Sequence, residues 1–268
     1  MVSAPLIIGH RGASAVTPEN TLAAFSRALQ DGADGIEFDV RLSRDRVPVI
    51  IHDASLKRTG QSARLVGDLT AAELQQCDVC SWFGPLQPED AQFARTVPTL
   101  AQVSDLFKQN NALLYLEMKF DRGEVTELAE NVVAGIHNAR LANRVVVLSF
   151  DLSAITLIKK IDPAISTAAL FEPRLWHPLS TIRRLKMVDV AVDHGADEIA
   201  LHHTLVSSRI VEKANRSGLP VVVWTVDDVK WIGRARRFGI KALITNNPAK
   251  MIQQRDLVGD THAANTAR

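Results

Sequence analysis

Four stretches of this 268-residue sequence carry chemically capable side chains at or near the end of a short apolar run. His10-Arg11 follows Leu6 to Gly9, Glu37 and Asp39 lie within Gly35 to Val40, His52-Asp53 closes Val47 to Asp53, and Glu117 with Lys119 closes Ala112 to Lys119. In a strand the period of two turns Glu37 and Asp39 to one side, and Glu117 and Lys119 likewise. Three carboxylates packed together repel unless a positive group joins them. A hard divalent cation, Mg²⁺ or Ca²⁺, does this with oxygen ligands, and Mg²⁺ commonly keeps waters and substrate phosphate oxygens in its shell. Glu37, Asp39 and Glu117 are therefore candidate metal ligands, while Arg11 and Lys119 add positive charge suited to a phosphate. Imidazoles titrate near neutrality, so His10 and His52 can divide the proton work, one taking a proton from the nucleophile and the other giving one to the leaving oxygen. Either histidine fits either role. A lone strand-end His, or one Glu-x-Asp, is common on solvated strands; the signal is four successive strands ending this way.

Side chains on separate strands meet only if the strand ends converge. Nine apolar runs are candidate strands: Leu6 to His10, Gly35 to Val40, Val47 to Asp53, Ala112 to Lys119, Arg144 to Phe150, Ser166 to Phe171, Glu198 to His202, Pro220 to Val226 and Ala242 to Thr245. Near-continuous β-branched content, as in Val145-Val146-Val147, suits strands buried on both faces. Amphipathic segments lie between them, with Asn20, Asp151, Ser207 and Asp227 as expected N-caps, capping boxes at Thr70 to Glu73 and Thr99 to Gln102, and Gly32 closing the first helix. Repeated strand–helix units predict parallel strands with right-handed crossovers, an α/β fold of the TIM-type (β/α)8 barrel, whose C-terminal strand ends form one mouth.

Only six residues separate Val40 from Val47. A parallel crossover needs a dozen or so, hence residues 35–53 should form an antiparallel hairpin arm. A turn at Ser43 to Arg46 would set Glu37 opposite His52 and Asp39 opposite Ile50. Residues 54–97 read as a loop insertion whose Trp82 and Phe83 are expected to cap the site. The barrel is expected as one catalytic domain over residues 1–258, with a disordered tail at 259–268.

Composition narrows the partners. There are 31 Lys+Arg against 30 Asp+Glu, a net charge of +1, which speaks against binding that depends on neutralising a nucleic-acid backbone. No apolar run reaches the ~18 residues of a membrane span, and the first residues lack a basic, apolar leader pattern, so a cytoplasmic protein without a stable membrane anchor is expected. Cys77 and Cys80 are the only cysteines. A structural zinc site would want four ligands and a redox pair would follow a first strand, so they read as two small semi-buried residues. His202-His203 reads as packing plus surface.

The stretches His10-Arg11-Gly12, Pro18-Glu19-Asn20-Thr21, Gly35 to Val40 and Pro48 to Asp53 resemble the signature of the glycerophosphodiester phosphodiesterase family. Further echoes are Leu56 to Thr59, Val97 to Leu100, Leu116 to Lys119, Ser149-Phe150, Trp224-Thr225-Val226 and Ile244-Thr245-Asn246. The resemblance implies a metal-dependent barrel enzyme that hydrolyses glycerophosphocholine, glycerophosphoethanolamine and similar small-molecule diesters to glycerol 3-phosphate and an alcohol. It implies His10 and His52 as the acid/base pair, Glu37, Asp39 and Glu117 as ligands of Mg²⁺ or Ca²⁺, Arg11 and Lys119 on the phosphate, and Trp224 lining the glycerol pocket. The attacking oxygen is either water or the substrate's own 2-hydroxyl. Two positions depart from the pattern: Asp227 stands where Asn is frequent after Trp-Thr-Val, and Asn246 where Asp is frequent at the last strand end.

Three rivals are weaker. A barrel amidohydrolase places His-x-His on its first strand, where this chain has Gly9-His10-Arg11. A lysophospholipid- or phosphoinositide-cleaving relative would want a longer apolar rim at the mouth. A non-catalytic phosphoglycerol-binding barrel would not need an intact set of two histidines and three carboxylates.

Overall fold

The computed structural model describes residues 4–85, 90, 92–121, 123–173 and 181–266, with backbone alone for 181–184 and 258–266. Pro88, His177 and the side chains of Arg183, Arg184 and His262 lie outside the described residues. The strands are β1 (Leu6–His10), β2 (Gly35–Leu42), β3 (Pro48–Ile50), β4 (Leu113–Met118), β5 (Val145–Ser149), β6 (Ser166–Phe171), β7 (Glu198–His202), β8 (Val221–Trp224) and β9 (Ala242–Thr245). The helices are α1 (Leu22–Gln30), α2 (Ala71–Leu74), α3 (Leu100–Leu106), α4 (Val125–Asn138), α5 (Leu152–Ile161), α6 (Thr181–Asp193), α7 (Ser208–Arg216), α8 (Lys230–Phe238) and α9 (Pro248–Thr266). Every strand except β3 is parallel to its barrel neighbours, in the order β1-β9-β8-β7-β6-β5-β4-β2, and β2 pairs back to β1 to close the ring. This is the (β/α)8 barrel.

Strand parity sorts the core. Ile8, Tyr115, Val146, Leu148, Ala168, Leu170, Ala200, Val222, Ala242 and Ile244 fill the interior. Their chain neighbours Ile7, Val145, Val147, Val221 and Val223 pack outward under the helices. Each buried Val, Leu or Ile contributes roughly 1.5–3 kcal/mol relative to exposure. The interior columns of β1, β4, β5, β6, β8 and β9, continued two residues toward the mouth, arrive at His10, Glu117, Phe150, Glu172, Trp224 and Asn246, and that of β7 arrives at His202. The period of two that packs the barrel therefore also aims the mouth.

The hairpin solves a placement problem. β2 pairs with β1 through Gly35 to Glu37, then continues past the end of β1, and β3 takes over the vacated edge antiparallel to Val40 through Leu42. His52, just after β3, is thereby brought to the same mouth. The register differs by one residue from the expectation: Val40, not Asp39, stands opposite Ile50, and the Ile51 N–H donates to Asp39 O at 3.0 Å. The loop holds three residues instead of two because Arg46 adopts φ 64°, and Ser43 pairs with Val47 around it. The Ser43 hydroxyl and the Ala71 N–H both donate to Asp45, pinning the turn to the start of α2.

Residues 54–97 add a satellite core in which Leu56, Val66, Leu69, Leu74 and Val79 pack on Val49 and Ile51. Trp82 is not among the residues that line the cavity at the barrel mouth. Its Nε1–H donates to the Val79 carbonyl at 2.8 Å, and its ring lies under Arg58 and against Phe83. The expected cap over the site is thus a support for Arg58, because both polar and aromatic faces of the ring are already engaged. The thiols of Cys77 and Cys80 are free, and burial lifts the Cys80 pKa to about 11, which leaves it unreactive.

The capping boxes at Thr70 and Thr99 and the caps Asp151 and Ser207 are present. Two expected caps are not. Thr21, not Asn20, caps α1, accepting from the Ala24 N–H at 3.1 Å, and α8 begins at Lys230 after Val229, leaving Asp227 outside the helix. Both residues have partners in the site. The backbone of α9 is helical from Pro248 through Thr266.

Candidate active site

The mouth opens into a cavity of about 340 Å³ lined by residues that include His10, Arg11, Glu37, His52, Glu117, Lys119, Phe150, Glu172 and Trp224. Asp39, fully buried, contacts two of these lining residues, Arg11 and Lys119. All eight residues singled out from the sequence therefore meet at one end of the barrel. Lateral register explains it: His10 is paired with Glu37 across β1 and β2, and Asp39 with Glu117 across β2 and β4.

The chain reverses sharply after β1. Arg11 has φ 54° and Gly12 φ 84°, and a Cβ on Gly12 would stand 2.5 Å from the Ala24 carbonyl carbon, so only glycine fits there. The turn aims the Arg11 N–H at Glu37 Oε2, 3.0 Å away. It also sends the Arg11 side chain back to Asp39 Oδ2 at 3.2 Å and Glu19 Oε1 at 2.7 Å.

Within the triad, Asp39 is the most heavily supported carboxylate. The Asn20 amide donates to its Oδ2 at 2.8 Å, and Lys119 Nζ stands 3.5 Å from its Oδ1 and 2.5 Å from Glu117 Oε1. Burial works to raise the Asp39 pKa, but the charges of Arg11, Lys119 and His52 hold it below the usual value. Glu37 and Glu117 do less well. Burial, then the charges of Asp39 and Glu117, lifts Glu37 well above the carboxylate range; burial, then Asp39, lifts Glu117 to about 7 despite Lys119. The local charge is three carboxylates against two cations, one of which is shared with Glu19.

That imbalance fits a divalent ion. Donor oxygens of Glu37, Asp39 and Glu117 lie within 4.8 Å of one another, Asp39 Oδ1 is buried without accepting a hydrogen bond, and Glu117 Oε1 meets only Lys119. All-oxygen donors of this kind suit Mg²⁺ or Ca²⁺.

Each histidine is oriented through Nδ1. His52 Nδ1 lies 2.6 Å from Asp53 Oδ1, and Asp53 Oδ2 accepts from Arg58 Nε at 2.7 Å. Arg58 also grips both oxygens of Glu19. His10 Nδ1 lies 2.7 Å from Asn246 Oδ1, and its Nε2 is 3.9 Å from Glu37. Burial and then Arg11 lower the His10 pKa to about 4; burial first also lowers that of His52. One wall is apolar and aromatic: Trp224 meets Phe150 edge-on at 5.5 Å and His202 at 5.3 Å, and its buried Nε1 has no hydrogen-bond partner. His202 reaches this wall, whereas His203 packs against Trp231.

Sequence reading did not find the supporting residues Asn20, Asn246, Asp227 and Arg58, nor Glu172 and Phe150 on the lining. Asn20 and Asp227 were assigned as caps, and the resemblance that also runs through them gave neither a partner in the site. Phe150 and Glu172 were findable by continuing the interior parity of β5 and β6.

A closed barrel with paired imidazoles, an acidic triad and two cations at its mouth defines a phosphoric diester hydrolase of the TIM-barrel type. Residues 10–250 match the model of the Glycerophosphoryl diester phosphodiesterase family, and the chain belongs to that family. YhdW of Bacillus subtilis is 32% identical over 247 residues, covering 92% of this chain and 96% of YhdW. The glycerophosphodiester phosphodiesterase of Caldanaerobacter subterraneus subsp. tengcongensis is 30% identical over 250 residues, covering 92% of this chain and 96% of the relative. An Oleispira antarctica phosphodiesterase solved in complex with the product sn-glycerol-3-phosphate superposes with a TM-score of 0.80 at 27% identity, covering 94% of this chain and 97% of that one.

Proposed function

We propose that this enzyme hydrolyses glycerophosphocholine, glycerophosphoethanolamine and similar diesters to glycerol 3-phosphate and the free alcohol, using a divalent metal and two histidines. The observation that carries the reading is the convergence of His10 and His52 beside the Glu37–Asp39–Glu117 triad in one 340 Å³ cavity. Mg²⁺ or Ca²⁺ held by the triad would supply Lewis-acid neutralisation of the phosphate charge. Arg11 and Lys119 contact the phosphate from the cavity wall and offset charge that builds in the transition state.

The histidines differ in their Nδ1 partners, and this divides the roles. His52 faces a carboxylate, Asp53, which supports an imidazolium able to protonate the leaving alcohol oxygen. His10 faces an amide, Asn246, which supports a neutral ring whose Nε2 accepts a proton from the attacking hydroxyl or water. The Trp224 ring packs the glycerol carbons, and its unpartnered Nε1–H donates to a glycerol oxygen. The glycerophosphate product of the Oleispira antarctica relative supports a glycerol-bearing substrate. Among the described residues no helix is long and apolar enough to cross a membrane, and the free Cys77 and Cys80 thiols support a cytoplasmic setting.

The test is release of glycerol 3-phosphate from glycerophosphocholine, with and without EDTA, by the parent enzyme, His10→Ala and His52→Ala, each checked for folding by thermal unfolding. We expect chelation to abolish turnover reversibly and each substitution to cost at least ~10²-fold in kcat. Turnover that survives chelation or either substitution would overturn the reading.

A further inference from the structure

Asp227 and Asn246 are the two positions where the sequence departs from the family pattern, and the structure places them in contact. Asp227 follows β8, and Asn246 follows β9. Asp227 accepts at three points: from the Asn246 side-chain Nδ2 at 2.7 Å, from the Asn246 backbone N–H at 2.8 Å and from the Thr245 hydroxyl at 2.9 Å. Its own backbone carbonyl accepts from Lys250 Nζ at 3.0 Å. On its other side Asn246 turns Oδ1 toward His10 Nδ1 at 2.7 Å and toward the Ser14 hydroxyl at 3.0 Å.

A carboxylate offers only lone pairs, so the amide end of Asn246 must face Asp227 and its carbonyl oxygen must face His10. That oxygen is an acceptor only. A neutral imidazole beside it must therefore carry its proton on Nδ1, which leaves the Nε2 lone pair aimed into the cavity. We propose that Asp227 and Asn246 form a positioning pair that sets the tautomer and ring orientation of His10, Asp227 by fixing the flip of Asn246 and Asn246 by accepting from Nδ1. The inference rests on His10 acting as the base.

The arrangement has a symmetry that can be tested. Asp227→Asn places two amides side by side, so Asn246 can flip and present its NH₂ to Nδ1. Asn246→Asp places two carboxylates side by side. The double variant Asp227→Asn/Asn246→Asp restores one amide and one carboxylate in reversed order, and an acceptor again faces His10.

Long-range ¹H–¹⁵N correlation spectra of the imidazoles in metal-free protein at pH 7.5, read beside kcat and KM for glycerophosphocholine in saturating Mg²⁺, make the test. We expect the parent and the double variant to hold His10 in the Nδ1–H form. Asp227→Asn should populate Nε2–H, with kcat about tenfold down and KM within about threefold. An Nε2–H ring in the parent, or an unchanged tautomer in Asp227→Asn, overturns the proposal whatever the activity. A shift of tautomer without loss of kcat leaves the positioning pair standing and overturns the role of His10 as base, so the two failures are distinct.

Discussion

Asp53 decides what His52 can do, and it does so by being a carboxylate with two callers. Arg58 donates to one oxygen and the imidazole to the other. In Asp53→Asn the carbonyl oxygen would be claimed by Arg58, which can only donate, and the amide NH₂ would turn toward His52. Nδ1 would then face a donor and could not hold a proton, so the imidazolium that protonates the leaving oxygen would not form. We expect kcat to fall by at least ~10²-fold with the fold intact, measured by steady-state kinetics and thermal unfolding; near-parental kcat would show that Asp53 does not orient the ring. The same pairing logic shows why only part of the site is legible in sequence. His10, Glu37, Asp39, His52, Glu117 and Lys119 are readable because they end strands and share parity. Asn20 is not, because an Asn just before a helical pattern looks like a cap, while its partner Asp39 is 19 residues away in the chain.

At the scale of elements, the hairpin is what brings the second histidine into the barrel mouth. Its edge is protected: Val49 bridges Thr99, and the Ile50 N–H donates to Pro98 O at 2.8 Å, so β3 does not present an open strand. The register depends on one left-handed residue, Arg46. Deleting Arg46 shortens the loop to two residues and slips the arm by one, which turns its side chains to the opposite face. The barrel does not need β3 to close, so we expect unchanged far-ultraviolet circular dichroism with kcat/KM down at least ~10²-fold, from loss of orientation of His52. Activity close to the parent would mean that His52 is placed by residues 54–97 and not by the arm.

At the scale of the molecule, a net charge of +1 conceals a strongly charged mouth. The folded state raises Glu37 well above its usual value and Glu117 to about 7, so between about pH 4.5 and 7 the metal-free native protein holds more protons than the unfolded chain. Stability from these groups is therefore greatest below that window and declines as pH rises through it. Asp39, held below its usual value, acts in the opposite sense but at more acidic pH. A cation in the triad replaces those protons, and its stabilisation grows over the same window. We expect the rise in Tm on adding Mg²⁺ or Ca²⁺ to EDTA-treated protein to be larger at pH 8 than at pH 5.5. A rise that is equal at the two pH values would argue against binding at Glu37 and Glu117.

The sequence by itself determined whatever follows from local period and local partners. Strands β1, β6, β7 and β9 begin and end where the apolar runs do, and the caps at Thr70, Thr99, Asp151 and Ser207 are short-range hydrogen bonds between near neighbours. Parity along each strand likewise selected which side chains face the mouth. The tertiary structure alone decided which polar atoms meet across the ring. Asn246 and His10 are 236 residues apart and touch because β9 closes the barrel against β1. The direction of that hydrogen bond, and with it the tautomer proposed for His10, depends on a partner that only closure of the barrel supplies.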